Sequence, residues 1–172
     1  MKKTILIYGI IAGVISVSPF IGMMALGKGE QYEEHGMIYG YSLMILAFSF
    51  IFVATKINRD KYNGGVLSFG RAFLVGLYIT LIASTVYVGA WLIDYYCFIP
   101  DFAEKYATSS IAHLKASGAS PAKIAQETAS MASMAQMYKN PLFVILLTYM
   151  EIVPVGLVVS LLSALILKKR KG

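Results

Sequence analysis

Four stretches of the chain are apolar almost without interruption: residues 5–26, 37–55, 72–93 and 142–167. Each is close to the roughly 20 residues that a helix rising about 1.5 Å per residue needs to cross about 30 Å of hydrocarbon. In lipid, backbone amides must bond within their own segment, which selects helices over open strands. The runs are also too long and too continuous for barrel strands of alternating polarity. Stretch one carries no charge, stretch three is bounded by Arg71 and Asp94, and stretch four holds a single acid, Glu151. A cleaved signal peptide is the rival reading of stretch one, since Lys2 and Lys3 precede it and Ala25-Leu26-Gly27 offers small residues. Its apolar length exceeds the usual core of about 7–15 residues, so it is read as a retained span.

The pattern changes between the third and fourth stretches. Residues 95–140 are rich in Ala and Ser and predict two helices in a hairpin. Asp101 with Glu104 has capping-box spacing, and Gly118 is a natural stop. Ser120-Pro121 then supplies an N-cap and a proline at the first helical position, and Asn140-Pro141 ends the second helix. Ile124, Thr128, Met131, Ala135 and Tyr138 recur at helical spacing, with Phe102, Tyr106 and His113/Leu114 as expected partners. Asn63-Gly64-Gly65 predicts a turn in the loop between spans two and three.

Composition and charge turn this pattern into a topology. Of 172 residues, 58% are hydrophobic and 14% charged, too apolar for a soluble domain. The net charge of +6 invites a nucleic-acid reading, but the basic residues flank the apolar blocks. Lys2, Lys3, Lys56, Arg59, Lys61, Arg71 and 168–171 place ten of the fifteen on one side, and seven of the nine acids lie on the other. Positive residues mark the cytoplasmic face, so both termini are expected inside. Trp91, Tyr95 and Tyr96 mark the outer interface. The expected fold is all-α: a four-transmembrane-helix bundle, residues 1–172, with an extracytoplasmic helical hairpin at 95–140 between helices three and four.

Several blocks together resemble a known family. Leu67-Ser68-Phe69-Gly70-Arg71-Ala72-Phe73 with Val75-Gly76-Leu77 is one, and Pro100-Asp101-Phe102 and Tyr138-Lys139-Asn140-Pro141 are others. The last is Glu151-Ile152-Val153-Pro154-Val155-Gly156-Leu157 with Ser160-Leu161. They are similar to the uncharacterised family called domain of unknown function 4199, found mostly in Bacteroidetes. The resemblance implies a four-span inner-membrane protein with an extracytoplasmic insert before the last span, and implies no activity.

Glu151 is the residue most open to a functional reading. It lies nine positions into span four, roughly 13 Å below the outer surface. An acid at such depth costs at least about 2.5–3.5 kcal/mol, so it must face the bundle, pair or be protonated. The spans contain no Lys or Arg. Ser84 and Thr85 on span three lie at matching depth with Tyr87 a turn outward, span one offers Ser18, and Pro154 frees a backbone carbonyl nearby. These six residues form the candidate intramembrane polar site. Its sharper reading is a protonatable or cation-binding cavity; its plainer one is a neutral Glu fastening span four to span three.

Other features have plainer readings. Gly9-x-x-x-Gly13, Gly76-x-x-x-Thr80-x-x-x-Ser84 and Gly156-x-x-x-Ser160-x-x-x-Ala164 line small residues on one face, as close helix packing in lipid needs, with packing inside the chain the plainer reading and a homodimer seam the other. Pro19 is expected to kink span one. Met131, Met134 and Met137 have soft thioethers suited to Cu(I), but are read as hydrophobic filling. Glu30, Glu33, Glu34 and His35 are read as a solvated acidic turn, and Gly27-Lys28-Gly29 lacks the context of a nucleotide loop. The single cysteine, Cys97, excludes an intramolecular disulfide. No HExxH or GxSxG motif is present, so neither catalysis, metal nor cofactor is expected. The partners expected are the bilayer, with anionic lipid at the cytoplasmic Lys168–Lys171 run, and either a homo-oligomer or a membrane partner protein, without nucleic acid. The favoured function is a non-catalytic structural or interaction protein whose hairpin docks a partner. The alternative is a small permease or proton/cation-coupled protein using Glu151.

Overall fold

The computed structural model describes residues 1–26 and 36–169, with side chains described for 1–18 and 38–169. The acidic turn Glu30–His35, Gly27-Lys28-Gly29, Arg170 and Lys171 lie outside the described residues, as does the Pro19 ring. Among the described residues six helices follow one another: α1 (Lys2–Leu26), α2 (Gly36–Ile57), α3 (Phe69–Cys97), α4 (Phe102–Ala116), α5 (Pro121–Met137) and α6 (Pro141–Leu167). A π-helical turn, Asn58–Tyr62, extends α2. Among the described residues, three segments are long and apolar enough to cross a membrane: Ile38–Tyr62, Phe69–Cys97 and Pro141–Leu167. The chain is therefore helical and membrane-like.

The chain divides into two compact units, one of Met1–Ala90 with Tyr149–Gly172 and one of Trp91–Thr148. In the first, Met44, Ala47, Phe48, Ile51 and Ala54 bury one face of α2 at helical spacing. Ile79 and Ala83 of α3 and Ile152 of α6 join them in one core. Leu, Ile and Val are plentiful on the outward faces instead: Leu74, Leu81, Val158, Leu162 and Leu165 are all exposed. Lipid is as apolar as leucine, so burial selects for close approach rather than hydrophobicity.

The small-residue motifs are where the helices meet. A Cβ added at Gly9 would fall 2.8 Å from Ile82 Cβ, and one at Gly13 2.7 Å from Val86 Cβ. On α3 and α6 the fit is reciprocal. Gly76 receives Ser160, Gly156 receives Thr80, and Thr80 Oγ1 and Ser160 Oγ share a 3.2 Å hydrogen bond. Intramolecular packing, the plainer reading of these motifs, accounts for all four glycines.

One end of this unit is tied together by polar contacts. Asn58, fully buried, donates from Nδ2 to the Ala54 carbonyl, and Asn63 Nδ2 donates to the Asn58 carbonyl. Gly64 and Gly65 turn the chain at φ +58° and +80°, in the region that side chains disfavour. Leu67 and Lys169 exchange two backbone hydrogen bonds of 2.9 and 2.8 Å. Thr4 Oγ1 donates to Tyr62 Oη across 3.3 Å. The start of α1, the loop after α2 and the end of α6 thus share one end.

The second unit contains the hairpin, α4 against α5. Its turn is a Schellman motif: the Gly118 N–H donates to the Lys115 carbonyl and the Ala119 N–H to that of Leu114, with Gly118 at φ +73°. Ser120 caps α5 through its side chain, which accepts from the Lys123 N–H. The capping box expected at Asp101 does not form. Asp101 sits at φ −95°, ψ 11° rather than in an extended conformation, and its carboxylate pairs with Lys105 Nζ at 2.9 Å. The register of α5 also differs from expectation. Ile124, Glu127, Met131, Met134, Ala135 and Tyr138 are the half-buried set, while Thr128 is exposed and bonds the Ile124 carbonyl. On α4 Phe102, Ile111 and Leu114 are half-buried, but Tyr106 and His113 are exposed.

Candidate functional site

The six residues grouped by depth do not share a face. Successive helical residues are about 100° apart, so Ser84 and Thr85 cannot both meet one neighbour. Ser84 is fully buried and its hydroxyl has no partner among the described residues. Thr85 turns to the exposed side, where its hydroxyl donates to the Leu81 carbonyl and shares a 3.0 Å hydrogen bond with Tyr149 Oη. Tyr87 is buried in the apolar core with Ile152. Ser18 is exposed and donates back to the Ile15 carbonyl at 2.7 Å.

Glu151 and Pro154 are both exposed on α6, while Ile152 between them is fully buried. Met150, 72% exposed, adjoins Glu151. A cavity of about 470 Å³ is lined by Leu67, Ser68, Phe69, Gly70 and Lys168, and a more open one of about 310 Å³ by Leu81, Ile82, Thr85 and Val86. Glu151 lines neither. Two polar ties between α3 and α6 are Thr85–Tyr149 and Thr80–Ser160. Tyr149 had no signal in the sequence, since a tyrosine in an apolar run looks like any other filler. Thr80 and Ser160 were visible as members of the small-residue motifs.

In the hairpin unit four rings close a circuit. Trp91 meets Phe102 edge-on at 4.9 Å between centroids, Phe102 meets Tyr138 at 6.4 Å, Tyr138 meets Tyr95 at 5.6 Å, and Tyr95 meets Trp91 at 6.3 Å. These separations are those of packed aromatic pairs, leaving no room for a ligand between the rings. Asp94 is buried beside this circuit on α3, and its Oδ1 has no partner among the described residues. Asp101 is solvent-exposed, and the hydrogen bond from Lys105 holds its carboxyl below the usual carboxylate range.

Metal chemistry finds no cluster to use: among the described residues no three His, Cys, Asp or Glu side chains come together. The methionine row is split, with Met131 and Met134 half-buried and Met137 exposed. Cys97 is a free, exposed thiol.

Helical segments of membrane-spanning length, locked together by small residues, define a helical, membrane-like protein. The model of the family described as "Protein of unknown function (DUF4199)" matches residues 7–169, and the chain belongs to that family. No curated protein matches the chain, and no solved structure matches it.

Proposed function

We propose that the chain is a non-catalytic, four-span protein of the bacterial inner membrane, both termini cytoplasmic, whose helical hairpin docks a partner. The hairpin carries the docking role. Neither α4 nor α5 has a fully buried residue, although Ile111, Leu114, Ile124, Met131 and Met134 form an apolar seam. A helix pair that leaves its apolar seam half-covered presents surface for another protein. The orientation is supported by the end of the first unit, where Thr4–Tyr62 and Leu67–Lys169 gather the basic residues flanking α1, α2, α3 and α6. A cluster of that sign prefers the cytoplasmic leaflet, whose anionic lipids attract it by about 1 kcal/mol per nearby Lys or Arg.

The test replaces residues 101–138 by a short polar linker in cells that depend on the protein. Loss of complementation, with the shortened chain still in the membrane fraction, is the expected result. Full complementation would remove the docking role. Retained function with the linker but loss with Glu151→Gln would transfer the activity to the permease reading. With Cys97→Ser as background, impermeant maleimide should label a Lys123→Cys chain in intact spheroplasts, and a C-terminal reporter should behave as cytoplasmic.

A further inference from the structure

The exposed face of α6 is apolar except at one place. Met150, Val158, Leu162 and Leu165 stand outward on it, and Glu151 and Pro154 stand among them. Glu151, Val158, Leu162 and Leu165 fall within about 40° of one line down the helix. Lipid can cover the apolar members but offers a carboxyl no hydrogen bond. Its short side chain begins roughly 13 Å below the outer surface, too deep to reach the interface.

Pro154 removes a backbone donor from the same stretch of the helix. It has no N–H, so the Met150 carbonyl one turn earlier loses its usual helical donor. A helical carbonyl points along the axis toward the residue four positions on, so that of Met150 opens beside Pro154, exposed about 60° around the helix from Glu151; the carboxyl O–H, uncharged as the hydrocarbon requires, and this carbonyl thus share one outward face.

We propose that this face is the seam of a homodimer, in which Glu151 donates to the Met150 carbonyl of the partner subunit and receives the same bond in return. Two copies inserted in the same orientation bring identical residues to identical depth. A two-fold axis along the membrane normal then satisfies both groups twice over. A different partner would have to supply a donor and an acceptor at that depth; a second copy supplies them by symmetry. The glycine motifs are already occupied within the chain, so the dimer uses large side chains and one polar pair. The proposal shares the membrane reading with the function above but not the hairpin docking, and each can fail alone.

The experiment uses the full chain in lipid bilayers, with Cys97→Ser as background. Val158→Cys should form a disulfide-linked species of twice the chain mass under mild oxidation. Tyr78→Cys, exposed on α3, should not. Energy transfer between donor- and acceptor-labelled chains, diluted in lipid, gives the dissociation constant. Glu151→Leu removes both symmetry-related hydrogen bonds and should raise it about eightfold, and Pro154→Ala should weaken the dimer by re-forming the bond within the helix. Glu151→Gln, which can still donate, should dimerise like the parent. Helical circular dichroism and Trp91 fluorescence verify that each variant is folded. A monomeric parent, a Glu151→Leu protein that dimerises undiminished, or cross-linking that favours Tyr78→Cys would overturn the proposal.

Discussion

Replacing Gly76 by alanine tests the interlock between α3 and α6. The new Cβ would lie 2.6 Å from Ser160 Oγ, 2.7 Å from its Cβ and 3.0 Å from its Cα. Carbon atoms in contact prefer about 3.5–4.0 Å, and the last neighbour is backbone, so a rotamer change cannot relieve the overlap. The two helices must part locally by about half an ångström or more. That loosens the dispersion contacts of the seam and stretches the Thr80–Ser160 hydrogen bond, itself worth about 0.6 kcal/mol in such bundles. Overpacking of a tight core costs about 1–3 kcal/mol, and alanine recovers up to about 1 kcal/mol in helix propensity. The net expectation is a loss of about 1–2 kcal/mol. Gly89→Ala on the same helix is the control, because no atom lies within 4 Å of its added Cβ. Stability read from SDS-induced unfolding in mixed micelles should fall for Gly76→Ala and hold or rise for Gly89→Ala. Combining Gly76→Ala with Ser160→Gly should recover part of the loss by removing the nearest atoms. Equal stability of the two alanine variants would refute the interlock.

In the same assay, a double-mutant cycle on Thr80→Val and Ser160→Ala should give a coupling of about 0.6 kcal/mol, whereas Thr80 with Thr85 should give none. Gly118→Ala should cost the hairpin about 1–2 kcal/mol, because a side chain at φ +73° clashes with its own backbone, and amide exchange of α4 and α5 should speed up accordingly. Tyr138→Ala removes three ring contacts and should weaken the hairpin by about 2 kcal/mol, read as a red shift of Trp91, the only tryptophan. The depressed Asp101 carboxyl makes a pH prediction. Its contribution is present above the unfolded aspartate value and is lost as pH falls through the folded one, so α4 amide protection should drop on acidification, a response that Asp101→Asn should abolish.

Helix positions were legible in the sequence where lipid imposes them. Span four was expected at 142–167 and the helix occupies Pro141–Leu167. The partners of the polar residues were less legible. Ser84, Thr85 and Glu151 share a depth, and depth follows from counting residues at a fixed rise. Facing depends on the rotation of each helix, and in apolar spans no hydrophobic stripe reports it. The small-residue motifs are the exception, because only small residues allow backbones to touch. In the hairpin, surrounded by polar residues, a stripe is informative again, yet it misassigned Thr128 and Glu127. Either residue fits a helical repeat of three and four, and only the partner helix chooses between them.

Sequence by itself determined that the chain is helical, membrane-like and a member of its family, because length and hydropathy are properties of each segment alone. It also determined which residues let helices approach. The tertiary structure decided that Thr80 and Ser160 interlock with Gly156 and Gly76, that Leu67 pairs with Lys169, and that Glu151 stands on the outward face of α6. The reason is geometric. A span's composition sets whether it enters lipid, but its rotation about its own axis follows from contacts with helices distant in the chain.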